Sequence, residues 1–242
     1  MIDVLWLPGT GFSSGPDGIS AEFGRRLDPT RFRFRVLRYP ASYGGFAPSY
    51  ADSREAGMAE LITAVSKAPG RVVVGGYSQG AGIAGDLAEG SGRVFDGKVV
   101  ACALISDPSR PPGAGMPGRP VASGYGISGA RGSMSVPTWW AAAEGDPITA
   151  LPEGNPLRSI ADMSEYFSFQ SPGDAHRWME SLADRCRRNA WQRWWSPENW
   201  RTWGGAMAYA RGYLVDGKHT TDYLLHGHAQ ALAETVNREV RS

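Results

Sequence analysis

Residues 76–80 read GYSQG, a serine set between glycines in the spacing G-x-S-x-G. A serine hydroxyl is a weak nucleophile unless the backbone presents it openly and a neighbouring base takes its proton. Glycines two positions to either side permit a sharp turn that does so, because they carry no Cβ to clash. The same turn aims the next backbone N–H at a reacting carbonyl. Ser78 is therefore a candidate nucleophile for acyl transfer, and the Gln79 N–H a candidate donor to the oxyanion; the structural alternative is a Gly-rich packing device at a strand end.

The base must be a histidine held by an acid, and the chain has only four histidines. Where a strand–serine–helix turn carries the nucleophile, the order along the chain is Ser, then acid, then His. His219, in VDGKHTTDY, lies in a loop ahead of the last helical pattern and is the candidate base. His226 is the alternative, although LLHGHAQAL puts it and His228 inside that helix; His176 falls in an earlier helical stretch. For the acid, PTWWAAAEGDPIT runs from a strand into a turn and leaves Asp146 at the strand's carboxyl end. Asp107 in CALISDPSRP also ends a strand, one strand earlier, and is the second candidate. A second oxyanion donor is expected after an early strand, where LWLPGTGFSSG supplies the Gly-flanked Thr10.

These residues need elements to hold them. Apolar runs predict strands near 3–7, 33–39, 71–77, 99–105 and 137–143, and helical spacing predicts helices near 50–67, 79–89, 174–194, 197–211 and 221–240. The valines before GYSQG are uninterrupted by polar residues, as in a parallel strand buried on both faces. Alternation of strand and helix over the first 146 residues implies an α/β fold with a mainly parallel central sheet and helices on both faces, and ligand sites at the strands' carboxyl ends. The rhythm breaks over 155–212, a mostly helical block with six of the nine tryptophans. The expected division is an α/β catalytic domain of residues 1–154 and 213–242 with a helical, lid-like insertion of 155–212. DPSRPPGAGMPGRP reads as a long surface loop.

Composition excludes several functions. With 25 basic and 24 acidic residues the formal charge is +1, so no field gathers nucleic acid or anionic lipid. Cys102 and Cys186 make neither a disulfide framework nor a metal set and read as free thiols. No apolar run approaches the roughly 20 residues of a spanning helix, and the N-terminus enters a strand with no signal-peptide pattern. A monomer made in a cytoplasm, without cofactor or metal, is expected.

With GYSQG, and a threonine following a glycine after the first strand, the chain resembles the cutinase-like serine esterases of the α/β-hydrolase superfamily. It departs from the secreted cutinases: PIT follows Asp146 with no disulfide cysteine nearby, and the helical block stands between acid and histidine. LPGTGF, GYSQGA, ISDPSRP, GYGISG and EGDPI look like the lysin B family of mycobacteriophages, in which helices are inserted at that point. The resemblance implies a serine esterase with Ser78, Asp146 and His219 as the triad and Thr10 and Gln79 at the oxyanion. It further implies a phage endolysin partner of short form, synthesised in the host cytoplasm, that cleaves mycolic acids from arabinogalactan at the cell envelope during lysis. Alternatives are a generic cutinase- or lipase-like carboxylesterase or acyltransferase of an actinobacterium, and a non-catalytic wall-binding module on the same fold. In the helical block, Trp191, Trp194 and Trp195 fall at i, i+3 and i+4. They make either the core of that lobe or, at Trp194 and Trp195, a lining for long acyl chains.

Overall fold

The computed structural model describes residues 1–44, 47–95, 97–155, 157, 158, 161, 180 and 217–241. Among them the order of elements is β1 (Ile2–Leu7), α1 (Gly18–Arg26), β2 (Phe32–Val36), α2 (Tyr50–Lys67), β3 (Val72–Tyr77), α3 (Gln79–Val94), β4 (Val99–Ile105), β5 (Thr138–Ala141), α4 (Thr221–Leu225) and α5 (His228–Glu239). The strands form one sheet in the order β2-β1-β3-β4-β5, and every pairing is parallel. Period-two alternation sorts the side chains of the central strands to two faces. Val4 and Trp6 of β1 and Val73 and Tyr77 of β3 join Ile19 and Phe23 of α1 and Leu232 and Val236 of α5 in one core. Leu5, Leu7, Val72 and Val74 meet Leu61 and Val65 of α2 and Ile83 and Leu87 of α3 in the other.

This topology fixes where a site forms. The chain leaves β1 for α1 on one face, returns past β1 through α2 on the opposite face, and leaves β3 for α3 on that same opposite face. The loops after β1 and β3 therefore diverge, opening a crevice at the carboxyl ends of two adjacent strands, the place where ligands bind in open α/β sheets. Thr10 follows β1 and Ser78 follows β3.

Several boundaries differ from expectation. Helix α1 was not legible because Gly18 and Gly24 dilute its pattern. Yet Asp17 caps it, accepting from Ser20 N–H at 2.7 Å, and a side chain at Gly24 would run into the Phe34 ring of β2, so close packing selects the glycine. Strand β2 stops at Val36, and α3 continues to Val94. The expected helix 221–240 is two helices, broken at Gly227, whose φ of 65° lies in the left-handed region. Glycine adopts that conformation readily and so ends a helix; His226 closes α4 and His228 opens α5.

The Pro/Gly-rich stretch after β4 is less superficial than it reads. Arg110 is fully buried and donates to the carbonyls of Thr149, Ala114, Ala122, Ser123 and Gly124. Arg131 forks onto Asp107 at 2.9 and 2.7 Å and reaches Asp86 at 2.9 Å. Cys102 is a buried free thiol. The block 155–212, with His176, Cys186, Trp194 and Trp195, lies almost wholly outside the described residues. At its start the buried Arg158 donates to the carbonyls of Gly126 and Leu151.

Candidate active site

Ser78 stands between the last residue of β3 and the first of α3, at φ 55°. A non-glycine residue in this region is strained, and the strain is held by fixed ends: Ser78 N–H donates to Ile105 O at 2.9 Å, and its carbonyl accepts from Gly82 N–H at 3.1 Å. The glycines of G-x-S-x-G have separate steric reasons. A side chain at Gly76 would strike the Gly80 carbonyl, and one at Gly80 the Leu7 carbonyl at the end of β1. The motif is thus the contact surface of a strand turning back as a helix against its neighbouring strand.

Ser78, His219 and Asp146 come from three separated segments and meet. Ser78 Oγ lies 2.9 Å from His219 Nε2, and His219 Nδ1 lies 3.1 and 3.2 Å from the two Asp146 carboxylate oxygens. Asp146 is fully buried in the turn after β5, where Gly145 has φ 79°. Burial alone would raise its pKa, but the facing His219, then Ser106 and Tyr223, outweigh it, and the carboxyl titrates below the ordinary aspartate range. An ionised carboxylate only accepts, so the neutral imidazole carries its proton on Nδ1 and turns a bare Nε2 to the Ser78 hydroxyl. In this geometry an imidazole can take a hydroxyl's proton while a carboxylate steadies the resulting cation.

Three further side chains, not singled out by sequence reasoning, complete the surroundings. Ser106 Oγ donates to Asp146 Oδ2 at 2.5 Å and lies 3.1 Å from His219 Nδ1. The Tyr223 hydroxyl donates to the same Oδ2 at 2.6 Å and accepts from Ala143 N–H at 3.1 Å. Burial, and then the Asp146 charge, push the Tyr223 phenol well above its usual pKa, so it stays a donor. Tyr77 stacks its ring on His219 with centroids 5.3 Å apart and donates its hydroxyl to the His219 carbonyl. Ser106 adjoined a candidate acid at a strand end; Tyr223 carried no sequence signal beyond being aromatic and near His219.

The candidate oxyanion donors sit on coupled supports. Gln79 opens α3, so its N–H has no intrahelical acceptor. Thr10 is exposed in the loop after β1, and a methyl placed on the preceding Gly9 would lie 3.6 Å from Ser78 Cβ. Its neighbours are tied: Gly9 N–H donates to Asp17 at 3.1 Å and Gly11 N–H to Ala41 O at 2.7 Å. The Gln79 amide in turn donates to Ser42 O at 3.0 Å and accepts from Ser53 Oγ at 3.3 Å. One side chain thereby joins the start of α3 to the segment that holds the Thr10 loop.

The competing candidates are elsewhere. Asp107 is fully buried but committed to Arg131, to the Trp140 indole at 2.9 Å and to Ser109 N–H at 3.0 Å. His226 and His228 line a cleft of about 400 Å³ beside the His219 loop, with Lys218, Asp222 and Glu144, which none of Ser78, Asp146 and His219 lines. Burial, then the nearby Arg119 and His226, lower the His228 pKa. Among the described residues no group of three His, Cys, Asp or Glu is placed to hold a metal, and no helix is long and apolar enough to cross a membrane.

No curated protein matches the chain. Among solved structures, lysin B from Mycobacteriophage D29 is similar at a TM-score of 0.57 and 22% identity, over 68% of this chain and 74% of that one. An acetylxylan esterase is similar at 0.44 and 20%, over 75% and 95%, and a cutinase-like protein from Cryptococcus sp. at 0.38 and 19%, over 47% and 56%. The profile of the Alpha/beta hydrolase family matches residues 4–240, which takes in β1 from Val4 onward, every strand from β2 to β5 and the Ser78, Asp146 and His219 positions; the chain belongs to the alpha/beta hydrolase family.

Proposed function

We propose that the chain is a serine ester hydrolase. The hydrogen-bonded series Ser78–His219–Asp146, assembled at the sheet's carboxyl edge, carries this reading. As His219 Nε2 takes its proton, Ser78 Oγ attacks the acyl carbonyl, and the imidazolium shares its Nδ1–H with Asp146. The negative charge that develops on the carbonyl oxygen is met by the backbone N–H groups of Gln79 and Thr10, acting as fixed donors to the oxyanion. Collapse expels the alcohol, which leaves with the proton from Nε2, and the acyl group remains on Ser78. Water then repeats the sequence, giving up its proton to His219, and releases the acid.

For the substrate, we infer the ester between mycolic acids and arabinogalactan, cleaved at the envelope of a mycobacterial host during phage lysis. Support comes from the motifs LPGTGF, GYSQGA, ISDPSRP and EGDPI, which look like the lysin B pattern; the structural likeness to lysin B supports the shared fold. Trp194 and Trp195 lie outside the described residues, and their lining of an acyl groove is part of the same reading. Mass spectrometry of lipids released from purified mycolyl-arabinogalactan-peptidoglycan tests it. Free mycolic acids released by the parent protein and not by Ser78→Ala are expected. Hydrolysis of simple esters without mycolate release would leave a general carboxylesterase, and no hydrolysis of either would leave a binding module.

A further inference from the structure

We propose that Ser106 is a positioning residue for the acid–base pair: its hydroxyl donates to Asp146 Oδ2 and accepts from His219 Nδ1–H, fixing carboxylate and imidazole relative to each other. This rests on the reading of Ser78, His219 and Asp146 given above. Ser106 sits at φ 52°, a conformation that favours glycine, at the end of β4. A glycine would relieve the backbone there, so the strained serine points to a use for its side chain.

The proton inventory defines that use. Ser106 has one hydroxyl proton and is fully buried. At 2.5 Å from a carboxylate that can only accept, that proton belongs to Asp146 Oδ2. The Oγ lone pair is then what faces Nδ1–H at 3.1 Å, at the same distance as Asp146 Oδ1. When the ring becomes charged during attack, its Nδ1–H meets two acceptors, one of them a hydroxyl polarised by donating to the other.

Ser106 also refers the pair to the sheet. Its N–H donates to Ala141 O at 2.9 Å, on the strand that leads to Asp146, while Ser78 N–H donates to Ile105 O on β4. Tyr223 reaches the same carboxylate oxygen from α4, whereas Ser106 stands in register with the nucleophile itself. The strand ends of β3, β4 and β5 are stitched together, and the Ser106 side chain extends that reference to the imidazole.

Ser106→Ala and Ser106→Gly separate positioning from scaffolding. Both lack the hydroxyl, but glycine suits the positive φ, so Ser106→Gly melts above Ser106→Ala. Steady-state kinetics on a short p-nitrophenyl ester is expected to show kcat reduced about ten- to a hundredfold in both variants, the loss of a hydrogen bond to a charged group. KM should stay within about twofold of the parent. Turnover that recovers with melting temperature in Ser106→Gly, or a kcat near the parent's in Ser106→Ala, overturns the proposal. Fluorophosphonate labelling keeps the two readings apart: parent protein labelled at Ser78 upholds the nucleophile whatever Ser106 does, whereas no labelling of the parent removes the reading beneath it.

Discussion

Ser78 and Ser106 end adjacent strands in the same left-handed conformation, at φ 55° and 52°, and their hydroxyls meet opposite nitrogens of one imidazole, Nε2 at 2.9 Å and Nδ1 at 3.1 Å. Register explains the pairing, since Tyr77 stands opposite Ile105 and the next residue on each strand is the serine. The two hydroxyls are not equivalent. Ser106 gives its proton to a carboxylate and is sealed from solvent, whereas Ser78 keeps a partly open face and a bare nitrogen to receive its proton.

Ser78→Ala is therefore expected to reduce hydrolysis of short p-nitrophenyl esters to background with an unchanged melting temperature. The replacement removes one hydroxyl at the turn after β3, outside the apolar cores, and leaves no core cavity. Residual turnover of more than a few per cent, in protein shown by mass to be uncontaminated, would dismiss Ser78 as nucleophile.

His219→Ala should match Ser78→Ala, because the members of such a unit act together and losing one costs nearly the whole effect. His226→Ala and His228→Ala should keep parent turnover, as both side chains line a different cleft. A dead His226→Ala with active His219→Ala would transfer the base to α4.

The two aspartates should fail in different ways. Asp146→Asn is expected to lower turnover by about 10⁴-fold, because the amide favours the wrong imidazole tautomer. Asp107→Asn takes from the buried Arg131 the fully buried carboxylate it forks onto and leaves the half-exposed Asp86 and Glu89 as its acidic neighbours, and breaking a buried pair typically costs up to about 3–5 kcal/mol. Its signature is a lower denaturation midpoint with near-normal turnover per folded molecule. Equal stability of Asp107→Asn and parent would contradict the ion pair.

What could be read from sequence was what local patterns encode. The Val72–Val74 run, the glycines around Ser78, the turn at Gly145–Asp146 and the loop position of His219 each carry their signal within a few residues. Ser106 and Tyr223 could not be found that way, because their importance depends on which strand lies beside which and on how α4 sits over the turn after β5. The break at Gly227 was hidden by an apolar pattern that continues in phase across it. Asp17 shows the same limit: its capping of α1 is local, but its bond to Gly9 N–H, which steadies the Thr10 loop, exists only once α1 has docked on the sheet.

The Gln79 side chain should matter for catalysis through its backbone. Gln79→Ala removes the amide that bonds both Ser42 and Ser53 and unties α3 from the segment whose Ala41 carbonyl holds Gly11, leaving that segment its bond from Ser42 N–H to Ser53 Oγ. Small misplacements of reacting groups can cost up to about 10²-fold, so kcat is expected to fall by roughly ten- to a hundredfold. The melting temperature should fall as well, because the buried Ser53 hydroxyl loses its acceptor, and unaltered kcat per folded molecule would detach the amide from the oxyanion loop.

Acid unfolding tests the carboxylate independently of activity. The Asp146 pKa in the folded protein lies below the ordinary value of 3.8, because His219, Ser106 and Tyr223 outweigh the cost of burial. A group depressed on folding contributes stability that is complete above its unfolded pKa and disappears as pH falls through its folded pKa. The window therefore opens near pH 4 and extends downward. Urea midpoints measured from pH 5 to pH 3 should fall for the parent more steeply than for Asp146→Asn, which has no proton to bind at this position. Asp3, also depressed through its hydrogen bond from Arg33, is common to both proteins and cancels in the difference. Parallel midpoint curves would mean that Asp146 titrates alike in the folded and unfolded chain, and the donors gathered around it would then not be holding its charge.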